Sequence, residues 1–408
     1  MVEIDREKLT TSANSLVLAA TCTANAIYAV LTYTRGIEGA ASIFLIAVYA
    51  LGLAVQLGVN HFHVLVKGGK KYLLYELFLF AAYGLTVLFA EKETTMTLWN
   101  FIFYCFLPPL FLLFKYDTEK VLRYGMYLSL ISCLEINTLL VDQAISWRFS
   151  QTNLGTIYDL LPCVVFAIFH FAYYRKQSGW FTKLCYLYYL YFLVRMLLVI
   201  VRGALLTLLV GVVLIYLNNP RSDRNEIRKW TLKKKCLVGL GALIGVLGIL
   251  NYESVIIWLY EFLQARNINF GVITKFYFYM STGNITDNRE PYYALVREMF
   301  RKSPLWGTGV LTFYAYSPDG AAYPHNYILQ FLFEGGLLLM LPLAFLSLRE
   351  LYRVITSKYV GINKTVLVSC LLLLSVVPGM FSMNIWYCRT FWLVPLLGLT
   401  TAKNELRS

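Results

Sequence analysis

The chain has 408 residues, 58% of them hydrophobic and only 14% charged, with a formal net charge of +13. About a quarter of a soluble domain's residues are charged, and here apolar runs of about 20 residues recur from end to end, which excludes a soluble fold. Those runs do not alternate, which excludes a β-barrel, and no soluble module offers a basic face with interleaved aromatics, which argues against nucleic acid as a partner.

The expected fold is an all-α integral membrane protein of about 12 transmembrane helices, with one long extracytoplasmic loop containing an amphipathic helix. The spans are predicted at 14–34, 40–59, 72–90, 97–114, 121–141, 154–174, 182–201, 203–217, 236–257, 325–347, 365–383 and 387–401. The opening stretch MVEIDREKLTTSANS lacks an apolar core followed by a small-residue cleavage site, so the first span reads as a retained anchor. The run 182–217 is too long for one crossing at 1.5 Å per residue, so it is divided at Val201-Arg202-Gly203. The run 186–192, rich in tyrosine, reads as an interfacial or packing belt.

With the N-terminus inside, most of the 36 Lys and Arg residues fall on the cytoplasmic side, as positive-inside topology requires. Residues 1–408 then form a single polytopic membrane domain, and 258–324 is the extracytoplasmic loop between the ninth and tenth spans. Arg148 and Arg202 fall on that same outer side, against the charge rule, so topology does not explain them. The eight cysteines lie mostly in apolar runs and form no CxxC pair, which makes them small packing residues rather than a disulfide or zinc framework. His61 and His63 stand in a predicted cytoplasmic loop without further ligands, and no metal site is expected.

The residues suited to chemistry gather around the outer loop. His325 stands where that loop re-enters the membrane, and an imidazole can accept a hydroxyl proton near neutral pH. Asn326, Gln330 and Glu334 follow on one predicted helix face, a polar stripe that must meet protein or water rather than lipid. A helix cap with interhelical hydrogen bonds is the alternative role for these four. Arg195 and Arg202 are nearly two turns apart and share a face if the helix persists. An intramembrane arginine marks a functional site by default, with an ion pair or snorkelling as the alternative. Guanidinium groups suit diphosphates because they donate paired, charge-assisted hydrogen bonds. Arg289 opens the segment REPYYALVREMFRKSP, whose Tyr293, Val296 and Phe300 recur at helical spacing. Arg297, Arg301 and Lys302 follow on it, and a solvated or headgroup-facing surface is the favoured reading for them. Gly307-Thr308-Gly309 is a turn signal that follows no predicted strand.

Three stretches together resemble the superfamily of O-antigen ligases and O-antigen or capsule polymerases, bacterial membrane glycosyltransferases. VRGALLTLLVG (201–211) resembles the family's arginine opening an apolar helix. NREPYYALVREMFRKSPLWGTG (288–309) resembles its arginine-led amphipathic helix closing in a Pro-x-x-Gly-x-Gly turn. PHNYILQFLFEGG (324–336) resembles its His-Asn-x-x-Leu-Gln with a downstream Glu-x-Gly. A looser fourth likeness is RFSQTNLG (148–155), whereas the N-terminal third is similar only as generic spans.

The resemblance implies a glycan donor on undecaprenyl diphosphate, displayed on the outer face of the bacterial cytoplasmic membrane. By it, Arg202 and Arg289 grip the diphosphate and stabilise the leaving group, while His325 activates or orients the acceptor hydroxyl. Arg195, Arg148, Asn326, Gln330, Glu334 and Arg297 are the expected substrate-binding residues. Neither cofactor nor metal is called for, and the expected partners are donor and acceptor lipid-linked oligosaccharides, membrane lipid, a chain-length regulator and a flippase. Polymerase is favoured because HNYILQFLFEGG is more similar to that branch. The alternatives are a ligase delivering glycan to lipid A-core or another terminal acceptor and, from a different class, a lipid-oligosaccharide flippase. Against the flippase, the chain shows no internal repeat and its polar residues are not concentrated at mid-membrane.

Overall fold

Among the described residues the long apolar runs become helices because, away from water, only a helix satisfies every backbone group within its own segment. The computed structural model describes residues 6–29, 40–60, 65–130, 151–198, 202–218, 236, 240, 252–267, 271–282, 289–355, 362–381 and 383–400. Regular structure among them is entirely helical. The first half holds α1 (Arg6–Ala29), α2 (Ala40–Asn60), α3 (Leu65–Phe89), α4 (Leu98–Leu113), α5 (118–130), α6 (Gln151–Tyr174) and α7 (Trp180–Leu198). There follow α8 (Arg202–Asn218), α9 (Tyr252–Gln264), α10 (Gly271–Ser281), α11 (Glu290–Lys302), α12 (Tyr327–Ile355), α13 (Ile362–Gly379) and α14 (Arg389–Thr400). Among the described residues, Ser42–Val59, Tyr327–Ile355 and Ile362–Gly379 are long and apolar enough to cross a membrane, and Leu98–Leu113 and Gly203–Asn218 are shorter apolar helices.

Several helices run past the expected ends. The tenth span, predicted at 325–347, is observed as Tyr327–Ile355. The described part of the segment 258–324 is largely helical: α9 continues into it to Gln264, α10 pairs with α9 through Tyr260 stacked on Tyr277 at 4.0 Å, and α11 follows. On α11, Val296 and Met299 are buried on a small separate cluster with Phe313 and Phe333, while Arg297 and Arg301 are exposed. The main core fills the space among α1, α6, α8, α12, α13 and α14. At its centre Trp386 stacks on Trp392 at 5.2 Å, and Phe331 meets Phe391 at 5.5 Å. Offset and edge contacts of this kind add to what burial alone contributes.

One irregularity governs the fold where α11 meets α12. Helix α12 breaks at Gly336, whose backbone is left-handed in φ (59°) and extended in ψ (−159°). A break strands backbone groups that hydrocarbon cannot satisfy. The turn after α11 satisfies them. Thr308 and Gly309 donate their amides to the carbonyls of Phe333 and Glu334, at 2.7 and 2.8 Å. In return, Leu337 and Leu338 donate to the carbonyls of Pro304 and Leu305, at 2.9 and 3.2 Å. The approach is close enough to demand glycine. A Cβ on Gly307, itself at φ 71°, would lie 2.5 Å from the Glu334 carbonyl carbon, and one on Gly336 would run into the Leu305 carbonyl. Thr94 and Thr95, in the α3–α4 connection, then hold the far side of the turn through the carbonyls of Val310 and Leu311.

Candidate functional site

The site is built where three helices begin. At the start of α12, Asn326 is the cap: its Oδ1 accepts from the amides of Ile328 and Leu329 at 3.0 and 3.2 Å. His325 precedes the helix, with a left-handed backbone (φ 57°). Few side chains hold that conformation without strain, although His, Asn and Asp are enriched there. The ring sits between two tyrosines, with centroids 6.1 Å from Tyr292 and 4.6 Å from Tyr323.

Tyr292 lies one turn into α11, so it ties His325 to the start of that helix, where Arg289 stands. The Tyr292 hydroxyl donates to Asp319, which also accepts from Ser317 Oγ at 2.7 Å and from the Ala321 amide at 3.2 Å. The Tyr292 bond, followed by the Ser317 bond, holds the Asp319 carboxyl below its ordinary range. The same bond is the main cause raising the Tyr292 phenol.

Arg289 is half-buried and donates from Nη1 to the carbonyl of Phe381 at 2.8 Å. That carbonyl belongs to the turn after α13, which the other two helix starts also touch. Asn326 Nδ2 lies 3.5 Å from the Met380 carbonyl, and Gly379 packs on Tyr327 so closely that a Cβ would approach the ring to 3.0 Å. On the third side is Gly203, the residue after Arg202, where a Cβ would be 3.2 Å from Phe381 Cβ. The first turns of α8, α11 and α12 therefore meet at Gly379–Phe381. Three helix N-termini bring partial positive charge to one place, and Arg289 adds a full one. Such a site can hold an anion, with an imidazole alongside.

Not every expected residue lines this space. Gln330 and Glu334 are fully buried and turned into the protein. Gln330 donates to Glu334 at 3.2 Å and to Asn384 at 3.0 Å, and it accepts from the Ile385 amide at 3.2 Å. Glu334 also accepts from the Trp386 indole and faces the amides of Leu311 and Phe313. Arg297 is exposed on α11. Arg195 belongs to α7 and Arg202 is the first residue of α8, but their side chains, and the whole of Arg148, lie outside the described residues. Sequence reasoning missed Tyr292, Tyr323 and the segment from Gly379 to Trp386, and nothing in the spacing of Asp319 singled it out among the possible carboxylates. The aromatic pair had only the signal of tyrosines flanking the motif histidine and arginine, and the C-terminal segment had none.

Beneath the Pro304–Gly309 turn lies a cavity of about 760 Å³. Its walls are mostly apolar, including Phe78 and Leu85 of α3, Trp306 and Val310 of the turn, and Leu338 of α12.

Comparison with known proteins gives this geometry a context. Residues 149–344 match the sequence model of the family described as O-antigen ligase. That stretch belongs to the O-antigen ligase family. The O-antigen ligase region contains Arg195, Arg202, Arg289, Arg297, His325, Asn326, Gln330 and Glu334, and it ends within α12. The turn at Gly379–Phe381 and the residues Asn384 and Trp386 lie beyond it. Members of this O-antigen ligase and polymerase superfamily are glycosyltransferase-like enzymes, and the apolar helices make this chain a membrane protein. No curated protein matches the chain.

Proposed function

We propose that this protein is a polysaccharide polymerase, transferring a glycan from undecaprenyl diphosphate to a sugar hydroxyl of a second lipid-linked repeat unit on the outer face of the cytoplasmic membrane. One observation carries the reading: the starts of α8, α11 and α12 meet at one turn, with Arg289 on that turn and His325 tied to it through Tyr292. A diphosphate leaving group needs positive charge that strengthens as its bond breaks, and helix starts and guanidinium groups supply this without reorganising.

In the proposed reaction the acceptor hydroxyl oxygen bonds to the donor's anomeric carbon. The bond from that carbon to the diphosphate oxygen breaks, and undecaprenyl diphosphate leaves with the electron pair. His325 takes the hydroxyl proton. Arg289 and Arg202 hold the diphosphate, so neither ATP nor a divalent cation is called for. The apolar cavity under the Pro304–Gly309 turn suits the hydrocarbon chain of the donor.

The test is purified protein with lipid-diphosphate repeat units, without ATP and with EDTA. The expected product is a ladder of longer chains, lost in His325→Ala and Arg289→Ala proteins that still insert in the membrane. A ladder persisting in His325→Ala overturns the base assignment, and lipid flipping without a new glycosidic bond overturns the enzyme reading. The description of the matched family favours a second reading, a ligase with a terminal acceptor such as lipid A-core. Transfer to that acceptor without any ladder would establish it.

A further inference from the structure

The residues that hold Arg289 in place are themselves held by a segment to which no role has been given. Between the turn at Phe381 and the start of α14, the chain passes through Asn384 and a short 3₁₀ turn, Ile385–Tyr387. Asn384 caps that turn, its Oδ1 accepting from the Trp386 amide at 3.2 Å. The same oxygen accepts from Gln330 Nε2 at 3.0 Å, and Gln330 Oε1 accepts from the Ile385 amide at 3.2 Å. Gln330 has no exposed surface and stands one turn beyond Asn326 on α12. The C-terminal segment is thereby clamped to α12 at two points: Asn384 to Gln330 below, and Met380 to Asn326 above. Between these points lies the Phe381 carbonyl that accepts from Arg289.

We propose that Asn384 is a positioning residue for glycan transfer: by locking the α13–α14 connection to Gln330, it fixes the carbonyl that aims Arg289 at the donor diphosphate. The inference rests on the polymerase reading for the identity of the ligand, and on geometry alone for the coupling of Asn384 to Arg289. Asn384 acts by accepting two hydrogen bonds, so an oxygen acceptor at this position is what matters. Aspartate keeps that acceptor and alanine removes it. Losing the lock frees the turn by fractions of an ångström, enough to misplace a guanidinium whose fork must match an oxyanion.

The experiment uses full-length protein in lipid nanodiscs, with farnesyl diphosphate as a binding probe and chain elongation as the activity. Asn384→Ala is expected to weaken probe binding and slow elongation, each by about 10- to 100-fold, while the KM for the acceptor and the melting temperature stay near wild type. Asn384→Asp is expected to recover most of both. On an Arg289→Ala background, Asn384→Ala is expected to add no further loss, because residues acting through one another are not additive. Equal losses on both backgrounds would reduce Asn384 to ordinary scaffolding and overturn the inference. So would wild-type behaviour of Asn384→Ala. Wild-type protein that binds the probe but makes no polymer would remove the polymerase reading, and the binding cycle would still decide the coupling. Wild-type protein that fails to bind the probe at all would overturn both.

Discussion

Arg289, at the start of α11, donates a hydrogen bond of 2.8 Å to the carbonyl of Phe381, 92 residues further along the chain. That bond closes the site. It joins the amphipathic helix α11 to the turn against which α8 and α12 also begin. It is made from Nη1 of a planar guanidinium, a group whose fork of N–H donors matches the geometry of an oxyanion. In the proposed reaction the carbonyl sets the aim of the guanidinium at the diphosphate, although it carries partial negative charge itself.

Substitution of Arg289 should separate charge from shape. Arg289→Ala is expected to lower kcat by about 10²- to 10³-fold, the usual loss for one donor to a developing oxyanion. Arg289→Lys keeps the charge but cannot present a fork while bonding the Phe381 carbonyl. It should recover only a minor part of the rate. Steady-state kinetics of chain elongation measure both, and full activity in Arg289→Lys would mean that charge alone suffices.

The helical class, the amphipathic helix after Arg289 and the His-Asn helix start were all legible, because each is written in a local pattern. Val296 recurs at helical spacing after Arg289, and it is buried as that spacing requires. What could not be read was how the local patterns meet. PLWGTG and FEGG were visible as two separate motifs, yet they are two halves of one backbone junction, since the turn satisfies the break at Gly336. Gln330 and Glu334 were placed on the correct face of α12, but which partner that face meets depends on Asn384 and Trp386, more than 50 residues away in sequence. Asn384 lies in no motif, and a lone asparagine before an aromatic cluster carries no signal.

The backbone junction should be intolerant of a single methyl group. Gly336→Ala and Gly307→Ala each place a Cβ against main-chain atoms at a left-handed φ. Strain of this kind costs about 1–3 kcal/mol before the clash is added. Each variant is expected to melt lower in detergent and to be cleaved faster by protease near residues 303–312. Gly58→Ala, with open space around it, is the control expected to leave melting unchanged.

The Tyr292–Asp319 bond should set how the His325 wall responds to pH. Asp319 is held below its ordinary range, so its contribution is present above the unfolded carboxyl value of about 3.9 and is lost as pH falls through the lower folded value. Tyr292 is raised, so its contribution is present below the unfolded phenol value of about 10 and is lost as pH rises through the higher folded value. The bond therefore spans the whole neutral range and opens only at the extremes. Hydrogen exchange of residues 317–325 is expected to be flat between these limits and to rise outside them. Tyr292→Phe should exchange faster at neutral pH and lose that dependence, whereas a step in the wild-type protein near pH 6 or 7 would point to a different titrating group.

The cavity under the Pro304–Gly309 turn gives a prediction that turns on chain length. Ala81 stands at the exposed edge of its α3 wall, so a larger side chain can fill the space without disturbing buried packing. If the hydrocarbon of the donor lies there, Ala81→Trp removes apolar contact worth about 0.8 kcal/mol for each methylene displaced. The KM for an undecaprenyl-linked donor is expected to rise about 10-fold or more, the equivalent of two methylenes. A donor on a short farnesyl chain should be much less affected, and kcat should hold for both because no residue of the Phe381 turn lines the cavity. Equal increases for long and short chains would show that the cavity serves the glycan or the fold, and an unchanged KM for both would place the donor chain elsewhere on the membrane face.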